Sequence, residues 1–153
     1  MIIKTGRHES REYCFQFLYH FQLQGFDEQR ARLMKSAQDL ENEANLFNET
    51  VEYKLDAGSL HFALNLIQGV LKYYDELEKI ISQFSQNWQL HRISKVDHTI
   101  LLQSIYELAY IKETPMKVVI NESLELAKKF GSLDSKNFIN GILDSFAKSI
   151  NHE

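Results

Sequence analysis

The feature that most constrains this chain is its shortage of residues that break helices. One proline and six glycines occur among 153 residues, and the sequence has no evenly spaced turn clusters of the kind that short strands require. Apolar residues instead recur at the 3.6-residue period of an α-helix, as Cys14, Phe17, Leu18 and Phe21 do. The pattern predicts an all-α fold.

Continuing the period along the chain predicts about seven to eight helices. Ser59, Ser94 and Asp134 each offer a side-chain oxygen to the free amides at the start of a helix. Gly131 is free to adopt the left-handed conformation that closes a helix. One predicted apolar face extends as far as Trp88. No linker or repeat divides the sequence, so residues 1–153 are predicted to form a single domain.

Composition excludes several classes of protein. Seventeen Lys plus Arg against 21 Asp plus Glu give a formal charge of -4, and no apolar run approaches the ~20 residues that span a bilayer. The first residues lack the apolar stretch of a signal peptide. Cys14 is the single cysteine and cannot form an internal disulfide. We therefore expect a cytoplasmic protein with no membrane association.

Local patterns that would indicate catalysis are missing from the sequence. It contains no Gly-x-Ser-x-Gly elbow, no phosphate-binding Gly-x-x-x-x-Gly-Lys and no His-Glu-x-x-His. None of the six histidines follows a glutamate by three positions, which argues against the di-iron sites of helical bundles. The prediction is that the protein is not an enzyme and needs no cofactor or metal.

Cationic side chains concentrate near the amino terminus, although the whole chain is acidic. Lys4, Arg7, His8 and Arg11 lie on a predicted flexible arm and the first turn of the first helix. Arg7 and Arg11 are one helical turn apart, so they share a face. This cluster could bind phosphates, or it could be a solvated, frayed terminus.

Several blocks of sequence are specific enough to indicate a family. They begin with Arg-His-Glu-Ser-Arg-Glu at 7–12 and Gln-Phe-Leu-Tyr at 16–19, and continue with Tyr-Glu-Leu at 106–108 and the long blocks 117–131 and 134–144. Together they closely resemble the NusB family of bacterial transcription antitermination factors. The resemblance covers the first helix and nearly all of 62–150, whereas 24–61 diverges.

The resemblance implies an all-helical fold of two packed helical subdomains without catalytic activity. It also implies binding of boxA, a single-stranded element of ribosomal RNA leader transcripts, together with the small-subunit ribosomal protein also called NusE. Such a complex acts within the transcription elongation complex. Members of the family occur as monomers and as homodimers, and the sequence leaves the choice open.

Residues that match the family's RNA-binding positions include the cationic cluster and an aromatic residue, Tyr19. An exposed tyrosine can stack on an unpaired base, but Tyr19 borders the apolar face of its helix and could equally be a core residue. Asp134 matches both an RNA-adjacent loop and a helix cap. The complete predicted RNA-binding set is Lys4, Arg7, His8, Arg11, Gln16, Tyr19, Asp134, Lys136 and Phe138.

The resemblance places the protein partner beside the helix that starts near Lys95. The predicted partner-binding residues are Asp97, His98 and Leu101. Asp97 also falls in a first helical turn, where a carboxylate favours the helix dipole, and that role requires no partner.

Two other functions fit the same resemblance. The chain could be a protein-interaction module that has lost RNA recognition, because it carries fewer arginines at its start than the family usually does. It could also be an accessory domain of an RNA methyltransferase, although the chain contains no glycine-rich cofactor-binding segment.

Overall fold

The computed structural model describes residues 1–85 and 93–151. The described residues form eight helices and one small parallel sheet, which confirms the predicted all-α class. The chain divides into two compact units, Met1–Lys72 and Tyr73–Glu153, here called the amino-terminal and carboxy-terminal units. Trp88, predicted to lie on an apolar helical face, falls outside the described residues.

The amino-terminal unit contains four helices and both strands. Its elements are β1 (Ile2–Lys4), α1 (Arg7–Leu23), α2 (Phe26–Leu33), α3 (Ala37–Val51), β2 (Tyr53–Leu55) and α4 (Ala57–Lys72). Helix α1 packs mainly against α4. The hydroxyl of Tyr13, fully buried on α1, donates to Asn48 Oδ1 at 2.7 Å, so the unit's core satisfies its polar atom internally.

The prediction of a flexible arm at the amino terminus is wrong, because residues 2–4 form a strand. β1 pairs with β2 in parallel, with Ile3 opposite Lys54. The chain then turns at Gly6, whose φ of 108° favours glycine, and enters α1. Periodicity could not reveal β1, because a three-residue strand is stabilised by a partner about 50 positions away and not by its own sequence.

The carboxy-terminal unit contains the other four helices, α5 (Tyr74–Phe84), α6 (Lys95–Tyr110), α7 (Met116–Phe130) and α8 (Ser135–Ile150). α6 packs against both α7 and α8. The core of the carboxy-terminal unit includes Leu77, Ile100, Ile105 and Ile142, all fully buried. These are positions that the helical period assigned to the interior.

The predicted helix caps have mixed outcomes. Ser94 caps α6 as expected, because its hydroxyl accepts a hydrogen bond from the Asp97 amide at 3.1 Å. Ser59 was the wrong cap for α4: it lies inside the helix, and Asp56 Oδ1 accepts from the Ser59 amide at 2.8 Å. Hydrogen bonds from Thr5 and from Ser59 lower the pKa of the Asp56 carboxyl below its usual value.

Candidate nucleic-acid interface

The first turn of α1 is fixed to α4 by Ser59. The Gly6 amide donates to Ser59 Oγ at 2.8 Å, and the buried Ser10 hydroxyl donates to the Ser59 carbonyl at 2.8 Å. These bonds join positions 53 and 49 residues apart in sequence. The side chains that α1 presents at its start are therefore held on a rigid support.

Two of the predicted arginines share one aromatic ring. The Arg7 guanidinium lies 3.9 Å from the centroid of the Phe62 ring, and the Arg11 guanidinium lies 5.3 Å from the same centroid. Both distances are within cation–π range. Arg7 is exposed, whereas only 5% of Arg11 is accessible. The low accessibility of Arg11 favours a supporting role beside Phe62 over broad contact with RNA, and its predicted RNA binding stays a prediction.

Lys4 is held in a comparable way by β2. Its ammonium lies 4.3 Å from the centroid of the Tyr53 ring and 3.8 Å from a carboxylate oxygen of Glu9. The Tyr53 hydroxyl donates to Gln16 Oε1 at 2.6 Å. Burial, followed by the nearby charge of Glu12, raises the pKa of Tyr53 above its ordinary value, so this hydroxyl stays protonated and keeps donating.

Tyr19 is neither a fully buried core residue nor a fully exposed one. It is half-buried, and its ring stacks on the buried Phe15 with centroids 5.7 Å apart and planes 12° apart. His8, at the start of the same helix, is exposed. The amino-terminal unit thus brings Lys4, Arg7, Arg11 and Gln16 onto supports from β2 and α4, with His8 exposed beside Arg7 in the chain.

Predicted RNA-binding residues of the carboxy-terminal unit differ in accessibility. Asp134 and Lys136 are exposed at the start of α8. The structure argues against the predicted contact between Phe138 and RNA, because only 5% of Phe138 is accessible and its ring belongs to the core. The predicted Asp134 cap is also wrong: among the described residues its side chain makes no capping hydrogen bond, and Ser135 Oγ instead accepts from the Ser132 amide at 2.9 Å.

The predicted partner-binding residues lie at the start of α6. Asp97 is in the first turn and 8% accessible, and half-buried His98 contacts Glu78 on α5 through Nε2. Leu101 is fully buried, as the helical period of α6 predicts, and this burial argues against the direct partner contact that the resemblance implied. It can shape this surface from beneath but cannot contact a partner directly.

Sequence reasoning missed the two rings that support the cations. Phe62 directly precedes the apolar positions of a predicted helix, so its position in the sequence suggests only a core residue. Tyr53 lies in the divergent segment 24–61. No spacing in the sequence links Phe62 to Arg7 or Tyr53 to Lys4, because each pair meets only through the fold.

Neither a metal cluster nor a membrane-spanning helix occurs among the described residues. The described part of the chain contains no group of three or more His, Cys, Asp or Glu residues arranged to hold a metal ion. Within the same residues, every helix is too short or too polar to cross a membrane. The amino-terminal unit therefore holds an exposed arginine and a half-buried lysine against aromatic rings, together with a half-buried tyrosine.

These observations define a helical protein without a metal cluster among its described residues, whose amino-terminal unit holds cations against aromatic rings. The chain belongs to the NusB family, whose model matches residues 8–148. NusB proteins are transcription antitermination factors and not enzymes, which confirms that the chain is not an enzyme.

Individual relatives extend over nearly the whole chain. The transcription antitermination protein NusB of Myxococcus xanthus is 37% identical over 146 residues, covering 95% of this chain and 97% of its own length. A solved structure of T. maritima NusB superimposes with a TM-score of 0.76 at 31% identity, covering 95% of this chain and 92% of that one. A solution structure of Aquifex aeolicus NusB, at 21% identity and a TM-score of 0.68, shares the fold.

Proposed function

We propose that this protein is a cytoplasmic transcription antitermination factor that binds boxA-type single-stranded leader RNA together with the ribosomal protein NusE. The observation that carries the proposal is the exposed Arg7 guanidinium, held over the Phe62 ring at the start of α1. Membership of a family of antitermination factors supports the role, and the bound RNA would act through the transcription elongation complex.

Charge explains how an acidic protein binds RNA. The net charge of -4 is spread over the whole chain, but screening limits its influence to about 8 Å at physiological ionic strength. Phosphates near α1 are therefore affected chiefly by the charges close to them, which include Arg7 and the Lys4–Glu9 pair. Because few cations take part, the affinity of this surface by itself is modest and depends on salt.

A second surface strengthens the interaction. The start of α6, with Asp97 and His98, is the proposed contact for NusE, and exposed Asp134 and Lys136 are proposed to lie against the RNA. When NusE binds both the protein and the RNA, the two weak interactions become effectively intramolecular, and the apparent affinity rises without new contacts.

The test is a titration of labelled boxA leader RNA, and of a scrambled RNA of equal length, with and without NusE at several salt concentrations. We expect boxA RNA to bind more tightly than the scrambled RNA, NusE to tighten it further, and salt to weaken it. Light scattering of the same samples identifies the binding species as monomer or homodimer. Absence of RNA binding at micromolar protein, with and without NusE, would contradict the proposal.

Binding of NusE without any RNA affinity would instead indicate a protein-interaction module.

A pair of variants tests whether α1 holds a defined phosphate contact. Arg7→Ala should weaken RNA binding and reduce the slope of log affinity against log salt by about 0.7, the value for one phosphate contact on a single strand. Lys35→Ala removes an exposed cation from the turn before α3 and should leave both quantities unchanged. Equal effects of the two variants would mean that α1 holds no defined phosphate contact.

A further inference from the structure

We infer that Phe62 on α4 is a positioning residue for RNA binding, acting through the Arg7 guanidinium. The inference rests on the RNA binding proposed above. Its basis is the placement of two guanidinium groups, 3.9 Å and 5.3 Å from the centroid of one ring. The ring is only 7% accessible, so Phe62 itself is not offered to RNA as a stacking surface.

The geometry leaves Arg7 able to bind phosphate while it contacts the ring. A guanidinium is planar, and its five N–H donors point outward in that plane. A ring beneath one face therefore attracts the charge without occupying the donors. Arg7 remains exposed, so those donors are available to phosphate oxygens.

The ring also reduces the entropy that Arg7 loses on binding. A long, solvated arginine has many rotamers, and fixing it on a ligand costs free energy. Here the α1 backbone is already fixed by the hydrogen bond between the Gly6 amide and Ser59 Oγ. Phe62 follows Ser59 by three positions on α4, so the residue that anchors the turn and the ring that receives the side chain lie on one helix face.

Arg11 distinguishes this ring from an ordinary core phenylalanine. A cation that is 5% accessible needs compensating interactions, and the electron-rich face of Phe62 provides one. An aliphatic side chain of similar size would fill the space but would lack the negative face that attracts both guanidinium groups.

Phe62→Leu is the appropriate variant, because it removes the π face and retains apolar bulk. The matched control is Phe47→Leu. Phe47 is 6% accessible in the same unit, and its ring contacts the rings of Tyr13 and Phe17. Both variants lose core packing, whereas Phe62→Leu also removes the support of the arginines. Urea unfolding of each gives the loss of packing separately from RNA binding.

We expect Phe62→Leu to weaken boxA RNA binding by about two- to fivefold, the range of an exposed cation–π contact, and Phe47→Leu to leave it unchanged. In the Arg7→Ala background, Phe62→Leu should produce little further loss. Equal weakening by the two leucine variants, or full additivity of Phe62→Leu with Arg7→Ala, would show that Phe62 acts as a packing residue and would overturn the inference.

A second measurement requires no RNA. ¹⁵N relaxation of the Arg7 Nε–H group reports how strongly that side chain is ordered. We expect the order to fall in Phe62→Leu and to persist in Phe47→Leu; an unchanged Arg7 in Phe62→Leu would overturn the inference. If the order falls as expected but the unsubstituted protein binds no RNA, the proposed function fails while the support of Arg7 by Phe62 stands.

Discussion

Gly131 shows how a residue can be identified correctly as a helix terminator for the wrong reason. The helix α7 does end at Phe130, but Gly131 has φ -93° and ψ -173°, an extended conformation and not the left-handed one. Glycine is required there by space: an added Cβ would lie 2.5 Å from Ser135 Oγ and 2.8 Å from the Ala127 carbonyl oxygen. The close approach between the end of α7 and the start of α8 excludes a side chain.

Gly131→Ala is therefore expected to destabilise the protein by about 1–3 kcal/mol, the usual cost of overpacking, as measured by urea unfolding. Gly58→Ala is the control. It is the second residue of α4, and its added Cβ would meet nothing closer than 3.9 Å, so alanine there should leave stability unchanged or raise it by less than about 1 kcal/mol. A Gly131→Ala variant as stable as the unsubstituted protein would mean that the turn relaxes freely.

At the scale of elements, polar residues near helix starts act in ways that their positions in sequence do not distinguish. Ser94 is a cap, whereas Ser59 is a buried link between two helices. Both precede apolar stripes of similar period, so local pattern predicts the same role for both. Ser59 links α1 to α4 because the fold places Gly6 and Ser10 beside α4, where both donate hydrogen bonds to Ser59.

Ser59→Ala should reduce the unfolding free energy by about 1 kcal/mol, because it leaves the Gly6 amide without its hydrogen-bond acceptor. It should also weaken RNA binding, since the turn that carries Arg7 is less firmly held. Ser82→Ala, an exposed serine on α5, should change stability by less than about 0.5 kcal/mol. Urea unfolding and the boxA titration measure both effects, and identical results for the two variants would contradict the role assigned to Ser59.

At the scale of the whole molecule, tyrosines whose pKa values are raised by folding make the stability sensitive to alkaline pH. Burial raises the pKa of Tyr13 and Tyr53 above the ordinary value of 10. Burial and a hydrogen bond to Glu76 raise that of Tyr110 to about 12. The unfolded chain ionises its phenols near the ordinary value, so the stability that these protonated hydroxyls contribute is complete below pH 10 and is lost as the pH rises through the folded-state values.

Urea midpoints should therefore hold steady up to about pH 9 and decrease as the pH rises from about 10 towards 12. Tyr53→Phe removes one of these phenols and should make the decrease shallower, although it also removes the hydrogen bond to Gln16 and lowers stability at neutral pH. The same slope in Tyr53→Phe and in the unsubstituted protein would show that Tyr53 is not ionised differently by folding.

The sequence by itself determined the all-helical class, the interior faces of the helices and the family, because helical periodicity and family motifs are recorded in residues close together along the chain. Tertiary structure decided that β1 pairs with β2 and that Arg7 and Arg11 meet Phe62. Each of these contacts joins residues that are far apart in the sequence. Such contacts produce no periodic pattern around either residue, so the sequence does not reveal them.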